Sequence, residues 1–200
     1  MIYGTPQLQC NKTINPSKFD NNNHNDNKLF STFFRSNSTG NCLYSSISIL
    51  LVGNNSLMLE LRLLTSIELC LNAEYYKSHP VIHTTYKAKS KLFQNALNLF
   101  QTFISENAYK TGKQACDLVI EEARLNCIPQ TWCGFLCVLA LSSVTQRTIN
   151  SFYPDSKVHD AIISERYTVL FNQKIHPRER FSSYSSEELN ILFCFSGKSV

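Results

Sequence analysis

The sequence predicts an α+β domain in which a layer of helices packs on a small β-sheet. Apolar residues recur three and four positions apart from about residue 43 to residue 143, which is the spacing of amphipathic helices. After Gln146, short apolar and aromatic runs bounded by turn residues replace that pattern and indicate strands. The chain has 200 residues, a length that supports one domain with a hydrophobic core.

The beginning of the chain differs in composition from the rest. Residues 1–27 carry few large apolar side chains and end in the Asn-rich run 20–27. Such a segment buries too little apolar surface to offset the entropy lost on ordering. We therefore expect a disordered Asn-rich tail over residues 1–27 and a single domain over residues 28–200.

Five helices are predicted from apolar spacing and from helix-ending residues. The first covers residues 43–51 and ends at Gly53. The second, residues 57–76, is apolar on most of its circumference, so we expect it to be the buried central helix. The other three cover residues 93–104, 115–123 and 132–143.

Three strands are predicted in the last quarter of the chain. The first, residues 148–153, is closed by Pro154. The others cover residues 167–171 and 189–195.

Composition and charge limit the classes of function. No apolar run approaches the roughly 20 residues of a membrane span, and the first residues lack the features of a signal peptide. We therefore expect a cytoplasmic or nuclear protein without membrane contact, whose eight cysteines are reduced. The net charge of +4 gives only a weak indication of an acidic partner, because the basic residues are scattered.

The turn before the first helix carries the chemistry that a cysteine nucleophile needs. Gly40 and Asn41 suit a tight turn, and Cys42 follows them at the start of the helix. Helix N-termini favour the thiolate, which is the nucleophilic form of cysteine. Backbone amides of the turn can also point at a developing oxyanion. A free cysteine can equally be a small buried apolar residue, and both readings remain open from position alone.

Two blocks of the sequence resemble the ovarian-tumour (OTU) cysteine peptidases. Residues 39–48, Thr-Gly-Asn-Cys-Leu-Tyr-Ser-Ser-Ile-Ser, resemble the nucleophile motif of that family. Residues 132–142 resemble its Trp-Gly-Gly segment and the helix that follows. Residues 61–69, Leu-Arg-Leu-Leu-Thr-Ser-Ile-Glu-Leu, look more specifically like the OTU-like domains of vertnin and of transposon-derived relatives. The resemblance covers about residues 30–195 and implies an OTU-like fold.

The resemblance also implies a site and a reaction. Cys42 would be the nucleophile, and the amides of Thr39, Gly40 and Asn41 would form the oxyanion hole. The substrate would be ubiquitin or a ubiquitin-like protein, and no cofactor is needed.

This chain departs from the family pattern at two places. The aspartate of the family motif is Thr39 here. The family's histidine follows the last strand, whereas this chain ends at Val200 with no histidine after that strand, so we expect a domain that lacks its C-terminal end. The general base is therefore unknown, and His176 is the candidate because the surrounding loops could fold toward the helix start.

The other clusters of reactive residues do not indicate a site. Cys133 and Cys137 lack the paired two-residue spacings of a structural zinc site, so we expect core packing and no metal. Glu121 and Glu122 are adjacent and are expected to point in different directions.

Three hypotheses for function follow from the sequence. The first is an OTU-like thiol peptidase with weak or no activity. The second is a catalytically dead, vertnin-like nuclear module that binds a protein or a nucleic acid. The third is an incomplete gene product with no stable independent role.

Overall fold

Helices occupy the first part of the described chain and strands the last, as the sequence predicts. The structure is a computed structural model that describes residues 40–82, 115–152, 171–179 and 187–192. The predicted tail and the predicted helix over residues 93–104 lie outside these ranges. The elements of the described part are α1 (Cys42–Val52), α2 (Met58–Leu71), α3 (Ala73–Lys77), α4 (Ala115–Asn126), α5 (Phe135–Thr145), β1 (Ile149–Phe152), β2 (Gln173–Ile175) and β3 (Leu189–Leu192).

The three described strands form one mixed sheet in the order β2-β1-β3. β1 pairs antiparallel with β2, so that Ile149 lies opposite Ile175, and parallel with β3, so that Ile149 lies opposite Leu189. Helix α1 packs against β3. The predicted α+β class is therefore confirmed.

Two of the three predicted strands are present where they were expected. β1 lies inside the predicted range 148–153, and β3 begins at Leu189 as predicted. Strand β2 was not predicted, because its three residues, Gln-Lys-Ile, show no apolar alternation. The strand predicted over residues 167–171 lies outside the described residues except for Phe171, which precedes β2.

Helix α1 ends at the glycine that the sequence singled out. Gly53 adopts a left-handed conformation with φ 78°, and its N–H donates to the carbonyl of Ile49 at 2.9 Å. A glycine accepts this geometry without a β-carbon clash, which makes it a common helix C-cap.

The predicted second helix is in fact two helices. Asn72 interrupts it, since both its N–H and its side-chain Nδ2 donate to the carbonyl of Glu68, each at 3.1 Å. Side chains of this kind compete with the helix for backbone acceptors. α2 therefore ends at Leu71, and the short α3 follows.

The prediction that this second helix is the buried central one is wrong. Its outward face is the apolar one, with exposed side chains at Leu59, Leu63, Leu64, Ile67 and Leu71. Its buried face carries Arg62, Thr65 and Ser66 between Leu61 and Leu69. Arg62 and Ser66 enter a hydrogen-bond network described below, while the Thr65 hydroxyl donates to the carbonyl of Leu61 at 2.6 Å.

Helix α5 occupies the central position instead. Every residue from Phe135 to Ser143 is buried, and the helix packs against α2 and α3. Its sequence has no charged residue, so no side of it favours water. It begins at Phe135, three residues later than expected from residue 132, since Gly134 before it is extended (φ −79°, ψ 177°).

Candidate functional site

The structure places Cys42 at the first residue of α1, directly after Gly40 and Asn41. We call residues 40–42 the nucleophile turn. The side chain of Asn41 makes no capping hydrogen bond to α1, although its backbone carbonyl accepts from Ser45 N–H at 2.9 Å. The first N–H groups of a helix have no partner within the helix, so this end of α1 attracts negative charge. Cys42 is only 4% exposed.

Gly40 is required by a close approach between two segments. A β-carbon on Gly40 would lie 2.0 Å from the carbonyl oxygen of Gln130 and 2.6 Å from the carbonyl carbon of Thr131. We call residues 127–134, which connect α4 to α5, the α4–α5 loop. The loop presses against the turn at Gln130, a residue held at φ 64°. Glycine therefore lets the loop contact the turn backbone to backbone.

The side chain of Asn41 joins the nucleophile turn to the α4–α5 loop and to α2. Its Oδ1 accepts from Arg62 Nη1 at 2.7 Å and from the N–H of Gln130 at 3.0 Å. This oxygen is thus occupied by structural partners. The backbone amides remain the groups that the sequence predicts for the oxyanion hole, and Thr39, the third predicted member, lies outside the described residues.

Arg62 is the central polar residue of the site, and it is 2% exposed. Its Nη1 also donates to the carbonyl of Gly40 at 3.0 Å, and its Nε donates to the carbonyl of Asn126 at 2.6 Å. Its Nη2 donates to the carbonyl of Thr131. The guanidinium carbon lies 5.2 Å from the centre of the Tyr44 ring, a cation–π distance. Among the described residues its hydrogen-bond partners are carbonyl and amide oxygens, and none is a carboxylate.

Asn126, the last residue of α4, completes this network. Its Oδ1 accepts from the Tyr44 hydroxyl at 2.7 Å. Its Nδ2 donates to Ser66 Oγ at 2.9 Å and to the carbonyl of Arg62 at 3.1 Å. All four residues are buried, so each polar group needs these partners in place of water. We call Asn41, Tyr44, Arg62, Ser66 and Asn126 the Arg62 network.

A buried carboxylate holds the other end of the α4–α5 loop. Glu122 Oε1 accepts from the N–H of Gly134, and Cys137 Sγ lies 3.6 Å from the same oxygen. A carboxylate near a helix N-terminus is favoured by the helix dipole, here that of α5. Burial raises the pKa of the Cys137 thiol, which keeps it protonated as a donor. Glu121 pairs with Arg124 instead, so the two glutamates point in different directions, as predicted.

Cys137 is a buried core residue, as the sequence predicts, and Cys133, which precedes α5, is half-buried and packs against the same core. Within the described segments, no three His, Cys, Asp or Glu side chains gather closely enough to hold a metal ion. Nor is any described helix long and apolar enough to cross a membrane.

His176 lies at the other end of α5. It follows β2, its Nδ1 is 3.1 Å from Thr148 Oγ1, and its carbonyl accepts from Ser142 Oγ at 3.2 Å. Ser142 is seven residues after Phe135, or about 10 Å along the helix axis. The structure therefore brings Gly40 and Asn41, which directly precede Cys42, against Gln130 and Thr131 of the α4–α5 loop. It places His176 beside the end of α5, and its assignment as the general base stays a prediction.

The segment that carries His176 is anchored by an ion pair. Arg178 Nε lies 3.2 Å from Glu68 Oε1, and the N–H of Arg178 donates to Ser143 Oγ at 3.0 Å. The Tyr76 hydroxyl donates to the same Glu68 oxygen at 2.8 Å. These contacts fix residues 176–178 against α2, α3 and α5.

His79 is a buried histidine outside the nucleophile turn. The side chain is buried at 5% exposure between the rings of Tyr75 and Tyr76, whose centroids lie 5.2 Å and 6.0 Å from its own. Its Nδ1 accepts from the N–H of Val81 at 3.2 Å. Burial lowers the pKa of His79 to about 4, so the ring is neutral at physiological pH.

Sequence reasoning missed Arg62 and Asn126 as members of the site. In the sequence both residues look like ordinary helix residues, because their hydrogen-bond partners are far away in the chain. One available signal was that Arg62, Thr65 and Ser66 recur at helical spacing opposite a stripe of leucines. That pattern shows a polar side of α2 without showing that this side faces inward.

Comparison with known families agrees with the motif resemblance. The family model described as the OTU domain of vertnin matches residues 34–194, which is most of the chain. The matched range contains the nucleophile turn, the Arg62 network and the α4–α5 loop. No solved structure matches the chain. The resemblance stated from residues 39–48, 61–69 and 132–142 is thus confirmed, and the chain belongs to the family of vertnin OTU domains.

Proposed function

We propose that this domain is an OTU-type thiol peptidase of low turnover, with Cys42 as its nucleophile and ubiquitin or a ubiquitin-like protein as its substrate. The observation that carries the proposal is the position of Cys42 at the first residue of α1, after a turn whose backbone and side chain are held by Arg62 and Gln130. A helix N-terminus favours the thiolate, and a rigid turn keeps its amides aimed in fixed directions. Membership in an OTU-domain family supports the reaction type.

The proposed reaction cleaves the bond at the C-terminus of the ubiquitin-like protein. Cys42 Sγ attacks the carbonyl carbon, and the amides of the nucleophile turn stabilise the oxyanion. The C–N bond then breaks, the amine leaves with the proton that the thiol has given up, and a thioester remains on Cys42. Water hydrolyses the thioester, which frees the C-terminal carboxylate and restores the thiol.

Two features support low turnover. Cys42 is buried, so a substrate carbonyl reaches its sulfur only after the residues around the turn move apart. His176, the candidate base, already has hydrogen-bond partners, since its Nδ1 lies 3.1 Å from Thr148 Oγ1 and its carbonyl accepts from Ser142 Oγ at 3.2 Å. A thiol with helix-terminus activation, whose candidate base is engaged by other residues, attacks slowly because proton transfer from the nucleophile is then inefficient.

A ubiquitin probe with a C-terminal electrophile tests the proposal. We expect slow covalent labelling of the wild-type protein, mapped to Cys42 by peptide mass spectrometry and absent from Cys42→Ala. Cys70→Ala is the matched control, because Cys70 is an exposed thiol on α2, and this variant should label at the wild-type rate. A folded wild-type protein that stays unlabelled, or labelling that persists in Cys42→Ala, would contradict the proposal.

The burial of Cys42 also favours a second candidate, a catalytically inactive binding module. In that case the fold is kept to bind a protein or a nucleic acid, and the net charge of +4 suits an acidic partner. Titration with ubiquitin and with duplex DNA over a salt series separates these partners. Nucleic-acid binding weakens steeply as salt rises, because counterions are released from the phosphates.

A further inference from the structure

We propose that Arg62 is the positioning residue of the nucleophile turn, and that its buried guanidinium both orients the turn amides and supplies the positive charge that favours an anion at Cys42. The inference rests on the proposed function, since it assigns a role within the same site. It begins from the four oxygen acceptors of Arg62, which belong to the turn, to the end of α4 and to the α4–α5 loop.

The orienting role follows from peptide geometry. Arg62 Nη1 holds the carbonyl of Gly40 at 3.0 Å. The peptide bond between Gly40 and Asn41 is planar and trans, so the N–H of Asn41 points in the direction opposite to that carbonyl. By fixing the carbonyl, Arg62 therefore fixes the direction of an amide that is predicted to hold the oxyanion.

The planar shape of the guanidinium matters for this role. One edge reaches Gly40 and Asn41, while Nε and Nη2 reach Asn126 and Thr131. A lysine ammonium is a single point of donation and cannot span acceptors on three segments. Arg62→Lys therefore keeps the positive charge and loses the planar set of donors that reaches all three segments.

The electrostatic role follows from the partners of Arg62. Its described acceptors are neutral oxygens. The buried carboxylate of Glu122 binds the N–H of Gly134 at the other end of the α4–α5 loop, so it is not a hydrogen-bond partner of Arg62. Two of those acceptors belong to residues that immediately precede Cys42 in the chain. A buried charge acts more strongly than an exposed one because little water screens it. An anionic thiolate or oxyanion at the turn is thus favoured.

Asn41→Asp tests the charge of Arg62 separately from the shape of the nucleophile turn. Aspartate has almost the same size as asparagine, and its carboxylate can still accept from Arg62 Nη1 and from the N–H of Gln130. It adds a negative charge at 2.7 Å from Arg62 and so cancels the positive potential without removing the hydrogen bonds. The turn should keep its shape in this variant, while the thiolate form of Cys42 should become less stable relative to the thiol.

The experiment measures the alkylation rate of Cys42 by iodoacetamide between pH 5 and pH 10, resolved by peptide mass spectrometry, alongside ubiquitin-probe labelling and thermal unfolding. In Asn41→Asp we expect the pH midpoint of Cys42 alkylation to rise by about 1 unit with the fold retained. In Arg62→Lys we expect probe labelling to fall about tenfold or more, which reflects misaligned amides. Arg124→Lys, an exposed arginine on α4, is the matched control and should change neither readout.

The outcomes separate the two proposals. If the wild-type protein does not label with the probe but Asn41→Asp still shifts the alkylation midpoint, the peptidase proposal fails and the charge role of Arg62 stands. If Asn41→Asp is folded and its midpoint equals that of the wild type, the charge role is overturned. If Arg62→Lys is folded and labels at the wild-type rate, the orienting role is overturned. Should Arg62→Lys unfold, Asn41→Asp still decides the charge role of Arg62.

Discussion

The carbonyl oxygen of Gln130 lies so close to Gly40 that a β-carbon on Gly40 would be 2.0 Å from it. The obstructing atoms belong to backbone, which cannot swing aside as a flexible side chain can. The contact therefore determines how near the α4–α5 loop comes to Cys42. It also explains why the turn needs glycine at this position, which the sequence alone attributes to a tight turn.

Gly40→Ala should destabilise the domain strongly. The methyl group would force the α4–α5 loop away from the turn and break the hydrogen bond between Asn41 Oδ1 and the N–H of Gln130, at a cost of more than about 3 kcal/mol. Urea unfolding monitored by circular dichroism gives the free energy. Gly53→Ala is the control, because Gly53 has φ 78° and open space around it, so about 1 kcal/mol is expected. Equal losses in the two variants would contradict the close approach.

Tyr44 and Asn126 should be energetically coupled. The Tyr44 hydroxyl donates to Asn126 Oδ1 at 2.7 Å in a buried setting, so removing either partner leaves the other unsatisfied. Tyr44→Phe alone should cost about 1–2 kcal/mol, and it should cost less in an Asn126→Ala background. A double-mutant cycle by urea unfolding measures the difference. If the losses in unfolding free energy of the two single variants add up to that of the double variant, the hydroxyl and the amide do not interact.

The elements that could be predicted from the sequence are those set by local patterns. α1 is defined by the spacing of Leu43 and Ile47 and by the glycine that ends it. β3 is defined by a short, mainly apolar run, and β1 by the apolar residues Ile149 and Phe152 at its two ends. The position of Cys42 at the start of α1 is predicted by the same kind of local pattern, because a helix N-terminus depends on only a few neighbouring residues.

The parts that could not be predicted depend on contacts between distant segments. Arg62 is separated from Asn126 by 64 positions and from Thr131 by 69, and no local pattern records that it is buried. An arginine on a helix is ordinarily solvent-exposed, and the leucines of α2 predict a helix that is buried on most of its circumference. Arg62 instead faces the interior, because its guanidinium has five N–H donors and its hydrogen-bond acceptors lie there.

The reversed orientation of α2 predicts opposite effects for two leucines on that helix. Leu69 is fully buried, whereas Leu63 is 53% exposed. Leu69→Ala should cost about 2–5 kcal/mol through a cavity, and Leu63→Ala should change stability by no more than about 0.5 kcal/mol. The two variants share chemistry and helix, so each serves as the control for the other. A larger loss for Leu63→Ala would restore the arrangement that the sequence suggested.

His79 should make the stability of the domain fall between about pH 6.5 and pH 4. Its ring is buried against Tyr75 and Tyr76, and its pKa is about 4 in the folded state, compared with 6.5 as its ordinary value. As the pH falls below 6.5, the unfolded chain binds a proton at this residue that the folded chain does not bind. Acid therefore favours unfolding, by up to about 3 kcal/mol once the pH reaches 4. Above pH 6.5 the ring is neutral in both states and contributes no pH dependence.

The measurement is urea unfolding at intervals from pH 7.5 to pH 4.5. His79→Gln is the control, because glutamine does not titrate, while its side-chain oxygen can still accept from the N–H of Val81. We expect the acid-dependent loss of stability to be smaller in His79→Gln than in the wild type, even if the variant is less stable at pH 7.5. Carboxylates elsewhere titrate in both proteins, so the difference between the two curves isolates the histidine. Parallel curves would show that His79 becomes charged in the folded protein as readily as in the unfolded chain, and thus that the ring is not held away from water.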